Sequence, residues 1–164
     1  MRAGEIDIIE QVNNAVATRT TLHTSTGCSQ SAVPASAFSG ARALSQNSDH
    51  KQKGPMSGPP AADCDVKAAG QGENEGCPID AAAASKSFGA PFNDADGGVF
   101  AFLWDSAGNA TELEDGRGGA ADGKMAAWYF DRSHIPADLA ASAGTPEPKG
   151  WGRVSPPLLL LLLN

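Results

Sequence analysis

Residues 4–10 read Gly-Glu-Ile-Asp-Ile-Ile-Glu, with Glu5, Asp7 and Glu10 separated only by isoleucines. β-Branched residues alternating with acids favour an extended strand with one apolar and one polar face. Successive side chains alternate sides, so Glu5 and Asp7 share a face, whereas Glu10, an odd number of positions on, falls on the other. The doubled Ile8-Ile9 offers a remedy. A β-bulge there absorbs one residue and returns Glu10 to the acidic face.

A row of like charges costs free energy and needs a reason, and glycoside hydrolysis supplies one. A retaining mechanism requires a carboxylate nucleophile and a protonated carboxylic acid about 5–5.5 Å apart. Two pleats along a strand separate Cα atoms by about 13 Å, so long Glu side chains and the bend of a bulge must close the gap. Asp7, between the two, can hydrogen-bond the nucleophile and by its charge keep the outer acid protonated. An acidic edge strand, or three carboxylates gathering a cation, fits the same spacing.

The chain of 164 residues is of ordinary length for one domain. Aromatics are scarce and Gly, Ala, Ser and Pro plentiful, which suits short strands joined by long loops better than helices. A net charge of −7 argues against a nucleic-acid or anionic-membrane partner, while a neutral glucan requires no charge complementarity. Met1-Arg2-Ala3 leads into the acidic strand without the apolar core of a signal peptide.

After the first strand, Thr18 to Thr24 alternates in the manner of a half-exposed antiparallel partner. Residues 25–86 read as a long loop region. Val99 to Asp105 and Ala126 to Asp131 are strands, and residues 106–125 between them, rich in Gly, Ala and Asp and free of aromatics, read as disordered and carry an Asn109-Ala110-Thr111 glycosylation sequon. Ile135 to Leu139 reads as a turn entering a short helix, and residues 153–164 as a Pro/Leu tail. Its six leucines are far fewer than the roughly 20 apolar residues that span a bilayer.

Gly4 to Glu10, followed by Val12-Asn13, Thr21-Leu22-His23-Thr24 and Cys28, resembles glycoside hydrolase family 16, and within it the fungal laminarinase-like endo-β-1,3(4)-glucanases with a bulged E-x-D-x-x-E motif. Further matches keep family order: Cys64-Asp65, Gly76-Cys77, Ser87-Phe88-Gly89, Pro91-Phe92-Asn93, Gly97 to Ala101, Trp128 to Arg132, Ile135 to Leu139 and Gly150-Trp151-Gly152. The resemblance covers roughly residues 4 to 152. It implies an all-β, concanavalin-like jelly-roll β-sandwich with long irregular loops, and an extracellular protein whose partner is a β-glucan polysaccharide. No cofactor and no metal are implied. By resemblance Glu5 is the nucleophile, Glu10 the acid and base, and Asp7 modulates both, so that internal β-1,3 or mixed β-1,3/1,4 bonds are hydrolysed by double displacement. Residues 1–152 then read as an incomplete catalytic domain, because family members carry strands before this motif and after Trp151, and residues 106–125 read as an insertion, because family members join the flanking strands by a tight turn.

The resemblance places His23 beside the acids, facing the cleft; a structural histidine bonded to a neighbouring carboxylate is the other reading. Trp128 is weighed as a sugar platform against a core role, and Trp104 is read as core. Arg132 is a candidate contact to a substrate hydroxyl, or a partner of Asp131 or Asp138. A disulfide between Cys64 and Cys77 would staple a segment with little core, leaving Cys28 odd; metal binding by the three thiols lacks any Cys-x-x-Cys pair. Other readings of the whole are a catalytically incompetent fragment, a transglycosylase, and a carbohydrate-binding protein that keeps the cleft without turnover.

Overall fold

The computed structural model describes residues 4–46, 58–105, 123–140, 144–151 and 157–163. Two antiparallel four-stranded sheets account for the strands. The first has the order β1-β2-β5-β4, from β1 (Glu5–Glu10), β2 (Arg19–His23), β4 (Ala41–Arg42) and β5 (Cys77–Asp80). The second has the order β3-β8-β7-β6, from β3 (Cys28–Ser29), β6 (Gly98–Asp105), β7 (Gly123–Asp131) and β8 (Pro157–Leu163). The only α-helix among the described residues is α1 (Gly89–Asp94); short 3-10 turns fill several connections.

Alternation explains the faces of the first sheet. Ile6 pairs with Leu22, Leu22 with Cys77 and Thr20 with Ile79, which puts an apolar row on one face. Leu22, Cys77 and Ile79 are buried in the same hydrophobic cluster as Met125, Trp128, Tyr129 and Phe130 of β7, so a shared core lies between the sheets. Below it, Phe92 of α1 packs on Phe100 and Tyr129, with ring centroids 6.4 and 6.2 Å apart. Trp151 closes another side, edge-on to Trp128 and Phe130 at 5.1 and 5.7 Å. Asp138 tethers that ring by accepting a hydrogen bond from Trp151 Nε1 at 2.7 Å.

Several local expectations hold. β1 and β2 fall where the alternation put them, and the two aromatic stretches are strands β6 and β7, which the structure pairs continuously from Gly98↔Asp131 to Asp105↔Lys124. Cys64 and Cys77 form a disulfide, and Cys28 is free and buried. Others need revision. The region read as loop contains β3, β4 and β5, and β5 lies inside the first sheet despite its proline. A four-residue strand interrupted by Pro78 carries almost no periodic signal, and Pro argues against an inner strand. The leucine run is likewise not a loose tail: Pro157–Leu163 is a strand between β3 and β7, paired on both sides. A run without polar alternation carries no half-exposed strand signal. Residues 106–122, most of the presumed insertion and its sequon, lie outside the described residues; 123–125 open β7.

Candidate active site

The register of β1 on β2 builds the site. Glu5 pairs with His23, Asp7 with Thr21 and Glu10 with Arg19. Three steps along β1 from Asp7 to Glu10 thus oppose two along β2, which is one extra residue at Ile8-Ile9 and a β-bulge. Arg19, Thr21 and His23 occupy alternate positions of a regular strand and share a face, so their partners Glu5, Asp7 and Glu10 share it too. All three carboxylates are aligned.

Threonines support this bulge. Thr20, fully buried, donates from Oγ1 to Ile8 O at 2.8 Å, satisfying a carbonyl that the disrupted ladder leaves over. Thr18 Oγ1 accepts from Glu10 N at 3.2 Å. On the acidic face Thr21 Oγ1 donates to Glu10 Oε2 at 2.8 Å. Since Thr21 is the partner of Asp7, this bond holds the Glu10 carboxylate back toward the Asp7 row, in the direction of Glu5. The long gap inferred from Cα spacing is shortened in this way.

His23 lies in the row with Glu5 and sets its Nε2 3.3 Å from Asp7 Oδ2. Its Nδ1 is buried without a hydrogen-bond partner among the described residues. The ring rests on Gly76, whose φ is +65° and where a Cβ would come within 2.9 Å of Nδ1. Burial first, then the charges of Glu10 and Glu5, push the Asp7 carboxyl above its ordinary value, and His23 offsets part of this. In the next row Arg19 forms a two-pronged ion pair with Asp80, Nε to Oδ1 at 2.7 Å and Nη2 to Oδ2 at 3.0 Å.

The structure brings Glu5, Asp7, Glu10 and His23 together, but not the other two candidates. Trp128 is only 3% exposed and packs against Trp151, so it has no open face for a sugar. Every residue of β7 from Met125 to Phe130 is 5% exposed or less, so both faces of the strand are covered along that stretch. Trp104, read as core, is instead 59% exposed on the sheet-edge strand β6. Arg132 lines a separate cavity of 530 Å³ with Lys86, Asp96, Asp131 and Ser133, and none of the three acids lines it. Sequence reasoning missed Thr21, Arg19 and Asp80. The Thr-rich alternation of β2 was the available signal for the first two, whereas Asp80 needed the position of β5. Among the described residues no group of three or more His, Cys, Asp or Glu is arranged to hold a metal ion, and no helix is long and apolar enough to cross a membrane.

Two antiparallel sheets with a bulged strand of aligned carboxylates define the class, an all-β sandwich bearing an acidic site on one sheet face. A family model describing the XgeA-like catalytic domain of glycoside hydrolase family 16 matches residues 1–111. The chain belongs to this family. An endo-1,3(4)-β-glucanase of Arthroderma benhamiae is 33% identical over 153 residues, covering 93% of this chain and 25% of the relative. The endo-1,3(4)-β-glucanase xgeA of Emericella nidulans is 31% identical over 149 residues, covering 91% and 17%. The chain therefore spans a quarter or less of these relatives' length. Among solved structures, a family 16 elongating β-1,3-glucosyltransferase superposes with TM-score 0.57 at 24% identity, covering 98% of this chain and 39% of that one. Laminarinase 16A of Phanerochaete chrysosporium, with β-glucans in donor and acceptor sites, superposes with TM-score 0.56 at 24% identity, covering 97% and 40%. The fold is the jelly roll of these laminarinases.

Proposed function

We propose that this chain acts on β-glucan as a retaining endo-β-glucanase, cleaving internal β-1,3 or mixed β-1,3/1,4 bonds. The observation that carries this reading is the alignment of Glu5, Asp7 and Glu10 across the bulge, with Glu10 drawn back toward Glu5. Glu5 attacks the anomeric carbon while Glu10 protonates the departing oxygen; Glu10 then takes a proton from the water that releases the glycosyl group. Asp7 holds its position through His23, and its own charge disfavours simultaneous ionisation of the row. Kinship with the fungal endo-1,3(4)-β-glucanases supports the substrate class, and both that kinship and the Cys64–Cys77 disulfide support an extracellular setting.

A second reading, transglycosylation, is favoured by the likeness to the elongating glucosyltransferase. It needs the same glycosyl-enzyme, released to an acceptor sugar instead of water.

The test is incubation of the purified chain with laminarin and lichenan, beside Glu5→Gln. Reducing-sugar release that falls to background in the variant is the expected result. Products longer than the starting oligosaccharide, without net reducing-sugar gain, would favour transfer. Equal release by both proteins would remove Glu5 from the role of nucleophile.

A further inference from the structure

The surroundings of Glu10 divide its possible partners in a way that aligned carboxylates do not by themselves require. Glu10, Arg19 and Asp80 form one transverse row across β1, β2 and β5. Directly opposed residues have Cβ atoms only about 4.5–5.5 Å apart, so a Glu facing an Arg ordinarily pairs with it. Here the pairing is diverted. Arg19 turns both prongs onto Asp80, and Glu10 Oε2 takes the hydroxyl of Thr21, one row back and 2% exposed. The groups facing Glu10 are Glu5 and Asp7 on its own strand, Arg19, Thr21 and His23 on β2, and Asp80 on β5.

Building on the glycosidase reading, we propose that Thr21 is a positioning residue that orients Glu10 as the acid, and that Asp80 protects this contact by retaining Arg19. A hydroxyl can donate to a carboxylate oxygen and to the carbonyl oxygen of a carboxylic acid, and being neutral it favours the ionised form less than a guanidinium does. With Oε2 so occupied, the proton sits on Oε1. It passes to the glycosidic oxygen as the bond from that oxygen to the anomeric carbon breaks and Glu5 bonds the carbon. In the second step Oε1 takes a proton from water as the water oxygen bonds the same carbon and Glu5 leaves. A guanidinium in Thr21's place would hold Glu10 in its ionised form and withhold that proton. Asp80 thus keeps a competing cation occupied. Arg19's proton is held chiefly by its hydrogen bond to Asp80; the charge of Glu10 contributes less, behind that of Asp80 itself.

Leaving-group dependence separates this role from a merely structural one. The quantity measured is kcat/KM of the full chain on laminarin and on a dinitrophenyl β-laminaribioside, whose phenolate departs with little need of a proton. Thr21→Val is expected to lower the laminarin value about tenfold or more while leaving the aryl substrate within about twofold. Thr21→Ser restores the laminarin value. Asp80→Ala, by releasing Arg19, produces the same selective loss, and adding Arg19→Gln reverses it. Equal loss on both substrates, unchanged laminarin cleavage in Thr21→Val, or failure of the added Arg19→Gln to rescue Asp80→Ala overturns the proposal. Should Thr21→Val lose its thermal transition, the Asp80 and Arg19 variants carry the test at a pair near the surface. A wild-type chain inactive on both probes overturns the glycosidase reading itself, and the proposal with it.

Discussion

At the scale of single residues, Asp7 sets function against stability. Its carboxyl binds a proton more tightly in the folded chain than in the unfolded one, because burial and the two flanking glutamates oppose its charge. A raised carboxyl lowers stability as pH rises from the ordinary carboxylate range through the folded value, since the folded state then loses the proton it preferred. Asp7→Asn should therefore raise Tm at pH 7, and the gain should vanish as pH falls below the ordinary carboxylate range, where Asp7 is protonated in both states. Thermal scans across pH would show this. Laminarin hydrolysis should fall in the same variant, because the Asp7 carboxylate that His23 holds between Glu5 and Glu10 is gone. His23 was legible as a neighbour of the acids only through the resemblance, since a lone histidine on a Thr-rich strand has no distinctive spacing.

At the scale of elements, the bulged strand pair is the device that matters. Thr20→Val would leave Ile8 O without its donor in a half-buried site, at a cost of about 1 kcal/mol. Urea unfolding would measure that loss. Activity should fall more steeply than stability, because a relaxed bulge turns Glu10 away from its neighbours. Gly76 supports the same pair from the β5 side. Ala there must adopt φ +65° and meet the His23 ring, so Gly76→Ala should cost about 1–3 kcal/mol in the same unfolding measurement. The doubled isoleucine made the bulge readable, whereas nothing near Gly76 in the sequence announced the histidine lying on it.

At the scale of the whole molecule, the disulfide holds the irregular segment that precedes β5. Cys64 and Cys77 are 13 positions apart and both fully buried, with Cys64 N donating to Cys28 O at 3.0 Å. Replacing both by Ala should cost about 2–3 kcal/mol, read as a lower Tm in the variant than in the oxidised chain. Burial pushes the nearby Cys28 thiol up to about 11, so little thiolate exists at neutral pH to attack the disulfide. Preservation of the Cys64–Cys77 pairing on prolonged incubation at pH 7, checked by peptide mapping, is the corresponding expectation.

Local sequence was enough to define the acidic strand, its bulge and its antiparallel partner and to place β6 and β7 as strands, and the Cys64–Cys77 bridge was one of two readings of the thiols. Each rests on alternation or proximity within a short stretch, which the backbone imposes wherever the strand is placed. The tertiary structure alone decided that Trp128 is enclosed and Trp104 open, that the leucine run is a paired strand, and that Asp80 draws Arg19 away from Glu10. These depend on which strand lies beside which in the finished sheets. Two aromatic strands of similar composition become a covered inner strand and an exposed edge strand only through neighbours distant in the chain.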